Sequence, residues 1–157
     1  MRCASDSAVI ASPIGPLRLE ASGDQIVGIQ FHARGPAART LPAGVIQDAA
    51  RQLDEYFAGR RTQFSLPLAP KGTDFQQSVW EALTQIPYGS TISYGDLAEG
   101  LGKPTAVRAV GAANGQNPIP IVIPCHRVIG ANGKLVGFGG GLETKAFLLR
   151  LEQGGLF

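Results

Sequence analysis

Ser93-Tyr94-Gly95-Asp96-Leu97-Ala98-Glu99-Gly100-Leu101-Gly102-Lys103-Pro104-Thr105-Ala106-Val107-Arg108-Ala109-Val110-Gly111 reads as two short helices with a tight turn between them. Ser93, with Asp96 three residues on, makes a capping pattern: the hydroxyl accepts from a first-turn N–H and the acidic side chain reaches back. Leu97, Ala98 and Leu101 give the first helix an apolar face. Gly102-Lys103-Pro104 turns the chain and sets proline in the first turn of a helix expected over about residues 105–114. The outline is that of a helix-turn-helix, which many helical pairs without nucleic-acid function share.

The second helix is nearly bare. Ala106, Ala109, Gly111, Ala112 and Ala113 supply almost no side chain, and Gly111 weakens the helix by about 1 kcal/mol relative to alanine. Its backbone must therefore approach something closely. One reading is packing against a neighbouring helix. The other is entry into a nucleic-acid groove, with Arg108, the only charge on this helix, projecting into the duplex.

Upstream, Thr73-Asp74-Phe75-Gln76 is a capping box ahead of Val79, Trp80, Leu83 and Ile86, and Pro87-Tyr88-Gly89-Ser90 ends that helix. Pro67, Pro70 and Gly72 break the chain before it, which puts a boundary near Lys71 between subdomains 1–70 and 71–157. Within the first, Val9-Ile10-Ala11, Leu17–Ala21 and Ile26–Phe31 alternate as strands about turns at Ser12-Pro13-Ile14-Gly15 and Gly23-Asp24. Residues 32–42 form a loop. Ile46, Ala49, Ala50, Leu53, Tyr56 and Phe57 recur at helical spacing between Val45 and Ala58, with Gly59 as a stop, and Thr62–Leu66 offers a further strand. The class is α+β, a small antiparallel sheet with a helix followed by a helical subdomain.

Downstream, Ile119-Pro120-Ile121-Val122-Ile123 reads as buried extended backbone that delivers Pro124-Cys125-His126-Arg127. The thiolate is the nucleophile, and cationic or hydrogen-bonding neighbours lower a cysteine pKa from about 8.5. Adjacent residues on extended backbone point to opposite faces, so a turn or a bridging water must join Cys125 to His126. His126 would draw off the thiol proton, and an acid would orient the imidazole. Glu152 is a candidate on a last helix from Leu142 to Gln153, with Phe147, Leu148 and Leu151 inward; its other reading is a solvated helix-end carboxylate. Gly130-Ala131-Asn132-Gly133 looks like a hairpin turn. Gly137-Phe138-Gly139-Gly140-Gly141 would let backbone approach a ligand, and it lacks the Lys-Ser or Lys-Thr of a P-loop.

Composition narrows the classes. At 157 residues with 44% hydrophobic content, the chain can build its own core. Its two cysteines, Cys3 and Cys125, read as reduced thiols in a cytoplasmic protein, and with two histidines they lack zinc-site spacing, so no metal and no cofactor are expected. No run approaches the roughly 18 apolar residues of a membrane span, and no signal peptide is seen at the start. A net charge of +2 permits nucleic acid without requiring it. On these residues alone, a cysteine hydrolase and a helix-turn-helix regulator sensing electrophiles through Cys125 both stay open.

The run Asn117-Pro118-Ile119-Pro120-Ile121-Val122-Ile123-Pro124-Cys125-His126-Arg127-Val128 resembles the active-site signature of the O6-alkylguanine-DNA alkyltransferases, bacterial type. Phe75-Gln76, Val79-Trp80, Pro87-Tyr88-Gly89, Ser93-Tyr94-Gly95, Ala98, Arg108-Ala109-Val110-Gly111 and Gly140-Gly141-Leu142 extend the match over about residues 70 to 152. Ser12-Pro13-Ile14-Gly15-Pro16-Leu17 is similar to the opening hairpin. The resemblance implies a ribonuclease H-like first subdomain and a winged-helix-like second. It implies one irreversible transfer of an alkyl group from guanine O6, or thymine O4, in double-stranded DNA onto Cys125 after base flipping, which the buried thiol requires. His126 would activate the thiol through a water, Glu152 would hold His126, and Asn117 would support the turn presenting the thiol. Arg108 would fill the space of the flipped base, with Tyr94, Gly95, Lys103 and Ala131 also on the DNA side. Tyr94, Val128, Phe138 and Gly139 would line the base pocket. The implied partner is methylated duplex bound through the minor groove with little sequence preference, by a protein monomeric in solution. The chain departs from some relatives in Phe138 for tyrosine, Gly139 for serine and the bulkier Val107 beside the arginine.

Overall fold

The computed structural model describes residues 5–135 and 138–154. The expectations for Cys3 and Gly137 lie outside the described residues. By compactness the chain divides into one unit ending at Lys71 and another beginning at Gly72.

In the first unit, β1 (Ser5–Ile10), β2 (Leu17–Ser22) and β3 (Gln25–Gln30) form an antiparallel sheet in that order. Alternation along β2 buries Leu17, Leu19 and Ala21, and α1 (Val45–Phe57) covers that face with Ile46, Ala49, Leu53 and Tyr56. The strand expected over 62–66 does not form. Ser65 gives both its backbone groups to the buried Gln52 side chain, at 3.0 and 2.8 Å, so it has none left for a ladder. Only Leu68 bridges to Ile26, a little further on.

In the second unit, α2 (Asp74–Leu83) starts at the expected capping box of Thr73 and Gln76, and α3 (Tyr94–Gly100) starts at one formed by Ser93 and Asp96. α4 (Val107–Gly115) begins two residues later than its sequence suggests, because Ala106 N–H bonds to Lys103 and extends the turn. Trp80 Nε1 donates to Ala113 O at 2.8 Å, tying α2 to the end of α4. A short parallel pair, β4 (Ile92–Ser93) with β5 (Val128–Ile129), brings the start of α3 beside the residues after the cysteine. α5 (Leu142–Glu152) closes the unit. Its inward face is Thr144, Lys145, Leu148, Leu149 and Glu152, whereas the expected Phe147 and Leu151 are only half-buried. The helix is rotated toward Lys145 and Glu152, two of its four charged residues, which find partners in the interior. No helix among the described residues is long and apolar enough to cross a membrane.

Candidate active site

The segment leading to Cys125 is folded back, not extended as its sequence suggests. Ile123 N–H bonds to Ile119 O at 2.9 Å, and Ile121 sits at φ 74°, a left-handed conformation that is costly for a β-branched side chain. Two things offset that strain. Ile119, Ile121 and Ile123 are all buried, and Asn117 clamps the turn. The Asn117 amide donates to Ile123 O at 2.8 Å and accepts from Ile119 N–H at 3.0 Å. Cys125, His126 and Arg127 then form a single 3-10 turn, which is how neighbours that alternation would separate come to share one interior.

Every member of that turn is buried. Burial pushes the Cys125 thiol up to about 11, while a hydrogen bond from Asn117 and the charge of Lys145 pull it back. Burial also drives the His126 pKa below the usual imidazole value, against the opposing hydrogen bond and charge of Glu152, and Arg127 pushes it the same way as burial. The resting pair is therefore neutral thiol and neutral imidazole. His126 Nε2 lies 2.6 Å from Glu152 Oε2, and a nitrogen facing a carboxylate carries the hydrogen, so the lone pair is on Nδ1. That Nδ1 is buried without a hydrogen-bond partner among the described residues.

Glu152 is far from the solvated carboxylate its helix-end position allowed. Arg127 donates to it from Nε at 2.7 Å and from a terminal nitrogen at 3.0 Å, and donates to Ile86 O at 2.7 Å. The guanidinium lies 5.7 Å from the Tyr88 ring centroid, and Gly89 N–H reaches Glu152 at a long 3.4 Å. A paired guanidinium keeps the carboxylate anionic at low dielectric, so it can orient the imidazole without taking its proton.

Beside the thiol, the buried Lys145 donates to Val128 O at 2.6 Å, and its ammonium lies 6.0 Å from the centroids of both Tyr94 and Phe138. Tyr94, Val128 and Phe138 are thus gathered around one cation, and Tyr94 is close enough for Cys125 to add to the upward push that burial gives its phenol. Gly139 is exposed, and a Cβ there would meet nothing. Arg108, Lys103 and Ala131 are exposed and Gly95 half-exposed. The first reading of the bare helix, close packing against a neighbour, is met on one face. Gly111 lies against the Tyr94 ring, where a Cβ would come within 3.7 Å, while Val107, Arg108, Ala109 and Ala112 face outward.

Sequence reading missed Lys145, Asn114 and the pairing role of Arg127. A signal existed for the first: Lys145 and Glu152 are seven residues apart, two turns of one helix face that also carries Leu148. A charged pair on a core face asks for buried partners.

A buried cysteine turn backed by His126 and a paired carboxylate lies in one unit with a capped helix pair of helix-turn-helix outline, the combination of a thiol site and a nucleic-acid-binding fold. The chain belongs to the 6-O-methylguanine DNA methyltransferase family: residues 74–154 match its DNA binding domain and residues 7–70 its ribonuclease-like domain. It is 50% identical over 154 residues to the methylated-DNA--protein-cysteine methyltransferase of Methanosarcina barkeri, covering 94% of this chain and 97% of that one. With the Mycobacterium tuberculosis protein of the same name it shares 51% over 148 residues, covering 92% and 90%. The fold is similar to the crystal structure of Mycobacterium tuberculosis O6-methylguanine methyltransferase, with a TM-score of 0.86, 46% identity and coverage of 98% and 96%. The Mycobacterium tuberculosis OGT crystallised in complex with DNA gives 0.85 at 49% identity, covering 94% and 92%.

Proposed function

We propose that this protein repairs DNA by transferring the alkyl group of O6-alkylguanine, and of O4-alkylthymine, from duplex DNA to its own Cys125. The observation that carries the reading is the buried chain of Cys125, His126, Glu152 and Arg127. His126 Nδ1, through a water, takes the thiol proton. Sulfur attacks the alkyl carbon as the carbon–O6 bond breaks, the electron pair stays on the guanine, and the imidazolium returns a proton to the base. Glu152 stabilises the transient imidazolium, and Lys145 the thiolate. A thioether is a poor leaving group, so each molecule acts once.

Residues 71–157 carry both DNA binding and alkyl acceptance in this reading. Arg108 enters the stack from the minor groove as the base swings out, Tyr94 steers the nucleotide, and Lys103, Gly95 and Ala131 meet the backbone. Tyr94, Val128, Phe138 and Gly139 enclose the extruded base, and Asn117 holds the turn that presents sulfur. Groove shape and phosphate neutralisation suit a monomer that must act in any sequence context. A reduced thiol is needed, which fits a cytoplasmic site of action. The test is a titration of methylated duplex against protein. Lesion loss should stop at one per protein molecule, and continued loss with excess lesion would instead mark a hydrolase.

A further inference from the structure

Asn114 has no part in the transfer as written, yet it is 2% exposed and touches both sides of the site. It lies near the end of α4, and its amide nitrogen faces Cys125 O at 3.5 Å. The same side chain is a hydrogen-bonding neighbour of the Tyr94 hydroxyl. Gly111, one turn earlier on the same helix face, lies against the Tyr94 ring, so α4 fixes both the plane of the phenol and the surroundings of its oxygen. Asn114 Oδ1 is buried with no hydrogen-bond partner among the described residues. An unsatisfied buried acceptor is destabilising, and a leucine of similar volume would pack here without that cost. What the amide offers in return is its N–H.

We propose that Asn114 is a positioning residue for the alkyl transfer, acting through Tyr94: its amide N–H donates to the phenol oxygen, which turns the phenol hydrogen away from α4 and toward the extruded base. The inference rests on the transfer reading above. As the carbon–O6 bond breaks, the electron pair left on the guanine makes the base a stronger acceptor, and a phenol already aimed at it stabilises the leaving group without reorganising. The Cys125 carbonyl takes the weaker contact of the same amide, which keeps the thiol turn in register with the phenol. Because α4 also carries Arg108 on its outer face, one residue links the helix that meets DNA to both reacting groups.

Single-turnover transfer from a saturating methylated duplex tests this in wild type, N114L, Y94F and the double variant, with duplex affinity measured in a Cys125→Ser background. N114L is expected to slow transfer by about three- to tenfold, the range one neutral hydrogen bond supports, with duplex affinity changed by less than about twofold. In the Y94F background the same substitution should slow transfer by less than about twofold. Undiminished transfer by N114L, a loss explained wholly by weaker DNA binding, or losses that multiply in the double variant would each overturn the assignment. Asn114→Ser keeps a donor in a smaller volume and is read beside N114L. Partial recovery is expected, and a loss as large as that of N114L contradicts a donor role; where N114L fails to fold, a loss of about tenfold or more in folded Asn114→Ser, relative to wild type, contradicts it. A wild-type protein that leaves Cys125 unmodified would sink the transfer reading itself, a result separate from any of these.

Discussion

Glu152 accepts from a neutral histidine and a charged arginine in the same buried space, and the two partners do different work. Arg127→Met should leave the carboxylate buried against His126 alone, destabilising the protein by about 3–5 kcal/mol in urea unfolding. An unchanged unfolding midpoint would contradict the pairing role. The titration of the turn also sets a stability window. Folded His126 resists protonation, so the unfolded chain binds the extra proton and stability falls as pH drops below about 6.5. Folded Cys125 holds its proton up to about 11 against an ordinary 9.0, so stability falls as pH rises above 9.0, by at most ~1.4 kcal/mol per pH unit. Unfolding free energies of wild type and Cys125→Ser should diverge only on the alkaline side, and parallel curves there would refute the buried neutral thiol. Cys125 and His126 were legible as candidates from sequence because their residue types carry the chemistry. Burial of Glu152 was not, since helix-end carboxylates usually face water and its partner Arg127 lies far off in sequence.

At the scale of elements, caps and turns were readable because they are local. Both capping boxes form where Thr73 and Ser93 place them, and the Gly130–Gly133 turn closes through a 2.9 Å backbone bond. The approach to Cys125 was misread for a reason of the same kind. An apolar run with prolines looks extended, and only the Asn117 side chain, bonding across to Ile119 and Ile123, converts it to a strained turn. Strand pairing at 62–66 failed because a side chain, Gln52, took the ladder's place. α4 divides its two faces between Tyr94 inside and Arg108 outside. Arg108→Ala should therefore slow repair of duplex by about tenfold or more while leaving attack on free alkylguanine nearly unchanged, comparing the two rates by single-turnover kinetics. Equal losses on both substrates would remove Arg108 from any role in the duplex.

For the whole molecule, the modest charge of +2 permits DNA binding without a strongly basic field. The class was legible in the capped helix pair and in the Pro-Cys-His-Arg run, whereas the interior that makes the thiol usable needed α2, the cysteine turn and α5 assembled together. Central to the account is the fate of Cys125. Intact-protein and peptide mass measurement after incubation with excess duplex containing O6-methylguanine addresses it directly. The predicted result is a single added methyl, confined to the peptide containing Cys125 and absent from Cys125→Ser; an unmodified protein that has nonetheless consumed the lesion, or a methyl on any other residue, would contradict it.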